Sequence, residues 1–296
     1  MLVGVTTLLV YSHSRLETFE KCALRYRFKY IDKIEKPDEQ GVEAFLGKRV
    51  HEGLQILYED LRKGQVHSLD EILKSYREEW RKQWAPGIKI VRRGTTQLDY
   101  LIYGETCLTN YYRRYSPFAE SETLSTEEHF QFPLDEKGLY AMQGYIDRVG
   151  RRTDGTYEIH DYKTSRTLPT QEAVNSDRQL GLYQIALQQG RPEAQSVELF
   201  WHYLAHDRTL RSTRQPKELM QLCETTLKLI EHVERKKRFE PHKSPLCDWC
   251  EYKPECPVWS RFNHARSRTV HAGSRHTSKK RKGIVNSLLG WLKKPI

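Results

Sequence analysis

Two carboxylates and an ammonium stand where they can act together. Asp147 lies near the end of one apolar, β-branched and aromatic run, residues 139–150. Asp161 lies near the end of the next, residues 156–162, with Lys163 just beyond. Between the runs is the polar turn Arg152-Thr153-Asp154-Gly155, and Asp-Gly between alternating runs is a strong local signal for a β-hairpin. A hairpin brings both carboxylates and the lysine to one end of a small sheet. Carboxylate oxygens suit Mg²⁺ or Mn²⁺. Such an ion polarises a phosphoryl oxygen and acidifies water, while a lysine offsets charge growing on a phosphate. Together these groups suit metal-assisted phosphodiester hydrolysis. The same pattern also describes a surface hairpin with two turn aspartates and a solvated lysine.

A second constellation lies near the C-terminus. Cys247, Cys250 and Cys256 place three soft thiolates within one loop. Four thiolates suit zinc or an iron–sulfur cluster, and the spacing does not choose between them. His242 is an alternative fourth ligand that would favour zinc. Cys107 and Cys223 fall in helical segments and read as core or surface thiols. Six cysteines in 296 residues, three of them close together, do not form the pattern of a secreted disulfide framework. Metal ligation in a reducing cytoplasm fits better.

The elements that must position these residues follow from periodicity. Helices are expected over residues 14–32, 43–63, 68–84, 96–115, 171–190 and 216–238. Strands are expected over 125–133 and 195–205, beside the central hairpin. In residues 43–63, Phe45, Leu46, Val50, Leu54, Leu57 and Leu61 form one apolar stripe, with His51 at its border. The stretch from Gly41 to Lys48 fails as a P-loop because the glycine spacing is wrong and Arg49 replaces the required Ser or Thr. The aromatics and arginines of 68–84 and 96–115 suit single-strand binding, but two amphipathic helices with aromatics in the core are the more ordinary reading. Glu127 and Glu128 open the strand at 125–133. Either offers a further carboxylate, although a solvated strand start is more ordinary. Gln179 and Tyr183 lie one turn apart on one helical face, placed to contact a phosphate or brace Lys163.

Taken together, these segments resemble the PD-(D/E)xK nuclease superfamily, in its RecB/AddB-type branch that carries an iron–sulfur cluster. Gly144-Tyr145-Ile146-Asp147-Arg148 resembles the G-x-x-D-R segment, and Asp161-Tyr162-Lys163-Thr164 the D-x-K-T segment. Gly47-Lys48-Arg49-Val50-His51-Glu52 resembles the helix that supplies a metal-binding histidine. Gln179 and Tyr183 match the helical Q-x-x-x-Y segment. The stretch from Ser12 to Cys22 resembles the family's opening, whose cysteine is the first cluster ligand, and Cys247, Cys250 and Cys256 resemble the other three. The likeness runs through residues 11–260 in the family's order.

The resemblance implies an α/β fold, with a mixed central sheet flanked by helices around a restriction-endonuclease-like core. It places the nuclease domain at residues 1–262, with a helical insertion at about 64–120. An iron–sulfur staple would join the N- and C-terminal parts, Cys22 lying 225 residues before Cys247. Closing so long a loop is strongly stabilising in the chain-entropy picture. By the same resemblance His51, Asp147, Asp161 and the Tyr162 carbonyl would bind Mg²⁺ or Mn²⁺. Lys163 would position the attacking water, and Gln179 and Tyr183 the substrate strand. Cys22, Cys247, Cys250 and Cys256 would hold a [4Fe–4S] cluster in preference to zinc. The implied activity is a DNA exonuclease acting on single-stranded ends, in DNA repair, recombination or CRISPR-type processing. The alternative is a non-catalytic iron–sulfur or zinc DNA-binding scaffold that partners a helicase.

The net charge of +10 is unevenly placed. Residues 266–296 hold nine Lys or Arg and no acid, which leaves +1 for residues 1–265. DNA affinity of the body must then come from local patches. Residues 263–296 are expected to be a basic, disordered tail. Its amphipathic end, Ile284 to Leu292, could dock on a helicase or other protein partner, lie on an anionic membrane, or leave the tail to bind DNA nonspecifically. Residues 1–10 are apolar, but without a preceding basic residue or cleavage site they read as a short strand and not as a signal peptide. No stretch approaches the ~20 apolar residues of a membrane span.

Overall fold

The computed structural model describes residues 8–36 and 40–259. The tail expected at 263–296 and the first part of the apolar N-terminus lie outside them. The chain divides into two compact units at Lys253/Pro254, and each is described by itself. In the second, the Trp259 N–H donates to the Cys256 carbonyl at 2.9 Å.

In chain order the first unit runs β1 (Leu9–Ser12), α1 (His13–Lys21), α2 (Ala23–Tyr26), a π-helical turn (Arg27–Ile31), β2 (Gln40–Gly41), α3 (Val42–Arg62), α4 (Leu69–Gln83), β3 (Ile88–Lys89) and α5 (Gln97–Tyr115). It continues with β4 (Glu122–Pro133), β5 (Tyr140–Arg151), β6 (Tyr157–Lys163), α6 (Gln171–Asn175), α7 (Arg178–Gly190), β7 (Val197–Tyr203), β8 (Arg208–Ser212) and α8 (Pro216–Arg235). Among the described residues the main sheet has six strands. It is mixed: β1 runs parallel to β5 and β6 parallel to β7, whereas β4–β5, β5–β6 and β7–β8 are antiparallel. A mixed sheet flanked by helices is the expected α/β class.

The β5–β6 hairpin forms where the Asp-Gly turn requires it. Gly155 takes φ 86°, a left-handed conformation that glycine adopts without a Cβ clash. The pairing is short, covering Arg148–Arg151 against Tyr157–His160. Near its other end β5 pairs on the same edge with β1, through residues 140–143, while β4 occupies the opposite edge. Among the described residues, 144–147 therefore have no ladder partner on that edge. The G-x-x-D segment lies in this split.

α3 lies where its stripe dictates. Val42, Phe45, Leu46, Val50, Leu54 and Leu57 are buried with Tyr76, Trp80, Tyr100 and Tyr111 from α4 and α5. Each fully buried Leu or Val contributes roughly 1.5–3 kcal/mol, so this stripe fixes the helix and with it His51. The aromatics of α4 and α5 are thus core. Two expected helices are broken. Residues 14–32 interrupt at Cys22, whose backbone is extended; the Leu24 N–H donates to the Glu240 carbonyl. Residues 171–190 restart at Asp177, whose side chain caps α7 by accepting from the Leu180 N–H. β8 was not foreseen. It is a short basic strand, Arg-Thr-Leu-Arg-Ser, reached through a left-handed Asp207.

Candidate active site

Asp147 closes the split edge of the sheet. One of its oxygens accepts from the Tyr162 N–H at 2.8 Å, the first β6 amide of this alternation beyond the ladder. The same oxygen lies 3.5 Å from His51 Nδ1, and His51 Nε2 donates to the Tyr162 carbonyl at 2.7 Å. His51, Glu127 and Asp147 each bring a ligand atom within 4.8 Å of the others. Glu127 thus joins the centre, against the reading of a solvated strand start, whereas Glu128 is held by Arg191 at 2.7 Å. The backbone explains the difference. Glu127 has φ 45°, uncommon for a residue with a Cβ, and the β4–β5 register skips the Glu127/Asp147 step.

Asp161 lies beside this three-residue group and not within it. It is buried at 2% exposure, and its Oδ2 has no hydrogen bond of good geometry, only the Lys163 ammonium 2.7 Å away. Lys163 also donates to Gln179 Oε1 at 2.9 Å, and Gln179 Nε2 donates to the Tyr183 hydroxyl at 2.8 Å. The helical Gln–Tyr pair braces the lysine. Gly144 allows that approach, since a Cβ there would come within 2.8 Å of Phe130 and 3.4 Å of Tyr183.

The electrostatics favour a cation. Burial alone would lower the His51 pKa, but the Asp147 carboxylate and then Asp161 overcome it and raise it to about 9. Burial pushes Asp161 up to about 6, with Lys163 opposing and Asp147 adding to the push. Glu127 is raised by burial and then by Asp147. A site that draws a proton onto an imidazole and raises its carboxylates carries surplus negative charge. Two carboxylates and an imidazole are a donor set that fits Mn²⁺ or Mg²⁺.

Behind the centre is a buried polar chain that sequence reasoning missed. Arg148 stacks 4.2 Å from the Tyr58 ring centre and donates to His160 Nε2 at 2.7 Å. The same Nε2 lies 3.1 Å from the Glu158 carboxylate, and His160 Nδ1 lies 2.8 Å from His202 Nε2. His202 Nδ1 in turn faces Tyr115 and Thr209. Burial, followed by the nearby Arg148 charge, holds His160 well below its usual pKa. No sequence signal marks this chain, because its members come from separate strands and α5.

The cysteines stand differently. All six are free. Cys22 Sγ accepts from the His242 N–H at 3.4 Å and Cys247 Sγ from the Ser244 N–H at 3.5 Å. The sulfurs of Cys22, Cys247 and Cys250 do not gather within 4.8 Å of one another. Cys256 belongs to the second unit. The expected iron–sulfur staple is therefore not displayed as an assembled ligand set. His242 Nδ1 donates to the Lys21 carbonyl at 3.1 Å.

A stretch of 52 residues, 18% of the chain, is 42% identical to an ATP-dependent helicase/deoxyribonuclease subunit of Streptococcus uberis; the match spans 5% of that protein's length. A solved structure described as "Crystal structure of SSO0001" aligns over 80% of this chain and 95% of its own, at 16% identity and a TM-score of 0.33. The model of the PD-(D/E)XK nuclease superfamily matches residues 10–257. The chain belongs to the PD-(D/E)XK nuclease superfamily.

Proposed function

We propose that this chain is a Mg²⁺- or Mn²⁺-dependent deoxyribonuclease that acts as an exonuclease on single-stranded DNA ends. The observation that carries the reading is the meeting of His51, Glu127 and Asp147 ligand atoms within 4.8 Å, beside the 2.7 Å Asp161–Lys163 pair. His51, Asp147, Asp161 and the Tyr162 carbonyl would hold the ion, with Glu127 as a further ligand. Bound there, Mg²⁺ or Mn²⁺ supplies Lewis acidity toward a phosphoryl oxygen and a more acidic water. Lys163 holds the attacking water and meets the charge growing on the phosphate. Gln179 and Tyr183 keep the ammonium aimed, and Arg148 with the two histidines fixes the strands from behind.

The proposal extends to the cysteines. Cys22, Cys247, Cys250 and Cys256 would hold a [4Fe–4S] cluster with a structural role. Backbone N–H groups directed at two of the sulfurs support it, since such donors tune and stabilise thiolate-bound clusters. Six free cysteines suit a reducing cytoplasm. The likeness to a helicase/deoxyribonuclease subunit favours a helicase partner in DNA repair or recombination. Among the described residues no helix is long and apolar enough to cross a membrane.

The test is cleavage of end-labelled single- and double-stranded DNA by anaerobically purified protein with Mg²⁺ or Mn²⁺. Metal-dependent cutting that Asp161→Ala abolishes, in a protein that still folds, is the expected result. A wild type that binds DNA and holds its cluster without cutting would replace the enzyme by the scaffold reading.

A further inference from the structure

The β4–β5 ribbon has one face left open next to the site. In β5, Met142 and Ile146 are buried, whereas Gln143 and Tyr145 are exposed. In β4, Phe132 is buried, whereas His129 and Gln131 are exposed. Register makes these four side chains two cross-strand pairs, His129 opposite Tyr145 and Gln131 opposite Gln143. The His129 and Tyr145 rings pack at 4.9 Å, yet Tyr145 remains 56% exposed. A large aromatic this open in mid-strand leaves a ring face without protein cover.

The position of the strip is informative. Tyr145 precedes Asp147 by two residues, ~6.6 Å along a strand, a distance that one nucleotide of a stretched single strand covers. A cavity of about 420 Å³ joins His129, Gln143 and Tyr145 to Gln179 and Tyr183, the pair that braces Lys163. No Lys, Arg, Asp or Glu lines it. A cavity of rings, amides and hydroxyls, without Lys or Arg, is poorly equipped to hold a phosphate. It suits a nucleobase, which needs a π-face and hydrogen-bonding partners.

We propose that the Tyr145–His129 ring pair, with the Gln131–Gln143 amides beyond it, is a base-stacking track. It holds the nucleotide adjoining the scissile phosphate of a single-stranded substrate. This deepens the nuclease reading and rests on it for the position of the phosphate. A duplex keeps its bases stacked on one another and cannot use the track, so the strip selects unpaired ends.

The experiment uses the full chain and a single-stranded oligonucleotide carrying 2-aminopurine near its end, with Ca²⁺ replacing Mg²⁺. Wild type is expected to bind it and quench the 2-aminopurine fluorescence. Tyr145→Leu should bind about 10-fold more weakly and lose the quench, while Tyr145→Phe, which keeps the ring, should retain both. An oligonucleotide lacking the base at that position should bind wild type as weakly as Tyr145→Leu binds the intact strand, and the two losses should not multiply. The weaker binding of wild type to the strand lacking that base is read without any variant. Equal binding and quenching by Tyr145→Leu, multiplying losses, or no single-strand binding by wild type would overturn the track. The nuclease reading is judged separately by Mn²⁺-dependent cleavage: a wild type that binds and quenches but never cuts keeps the track and loses the enzyme.

Discussion

The carboxylate centre and the cysteine corner are both candidate ion sites, and they are built in opposite ways. His51, Glu127, Asp147, Asp161 and Lys163 come from α3 and three paired strands. His51 and Asp147 are held by the Tyr162 backbone, and Asp161 and Lys163 by each other and by Gln179. Cys22 sits at a helix break, while Cys247 and Cys250 sit on a short 3₁₀ turn, all three only half-buried. The first group is positioned by the sheet and by α3. The second stands on a helix break and a tight turn, with backbone N–H groups directed at two of its sulfurs. Chemistry needs preorganisation, whereas a staple can be assembled by its own metal.

The largest effect expected from breaking this contrast is on turnover. Lys163→Ala should lower cleavage by about 10³-fold or more, with a melting temperature within a few degrees of wild type; rate and thermal melting on one preparation check both. Cys22→Ser should do the reverse. It opens a loop of more than 200 residues worth about 5 kcal/mol, so melting should fall by about 15 °C. Absorption near ~400 nm should be lost, while the folded fraction keeps its cleavage rate. If Cys22→Ser melted like wild type, the corner would be no staple.

Smaller changes sharpen the first site. Glu127→Gln should weaken Mn²⁺ binding by about 10- to 100-fold, measured by calorimetric titration, with no loss of fold. Gln179→Ala should cost about 10-fold in kcat at unchanged KM, because it releases the lysine and removes no ligand. The smallest effect concerns acid. His160 and His202 are held below their usual pKa by burial and then by neighbouring charge. The unfolded chain therefore binds more protons below pH 6.5. Their stability contribution is intact above that pH and falls as pH drops, by up to about 1.4 kcal/mol per unit for each ring. His202→Gln should flatten this acid slope in denaturant titrations.

Much of the fold and of the first site was legible in the sequence. The Asp-Gly turn fixed the hairpin, and the α3 stripe placed His51 at its border. That Asp147, Asp161 and Lys163 lie near strand ends was legible too. Glu127 was misjudged because a left-handed backbone and a skipped register step decide its direction, and neither has a one-dimensional signature. Gln179 and Tyr183 were placed correctly on one face, but only packing shows that they hold Lys163. The breaks at Cys22 and Asp177 escaped notice because helical periodicity continues through both. β8 is too short and too charged to carry an alternating signal.

The way β1 and α2 are anchored bears on synthesis. Tyr11 bonds Glu234, and Arg25 pairs with Glu251 across 226 positions of chain. At ~5–20 residues per second, a ribosome leaves these first elements waiting roughly 10–45 s for these partners. Every residue of the carboxylate centre has emerged before then. The nascent chain thus carries the groups of this centre while that outer wall is still open, and the arrival of Glu234 and Glu251 lets it close.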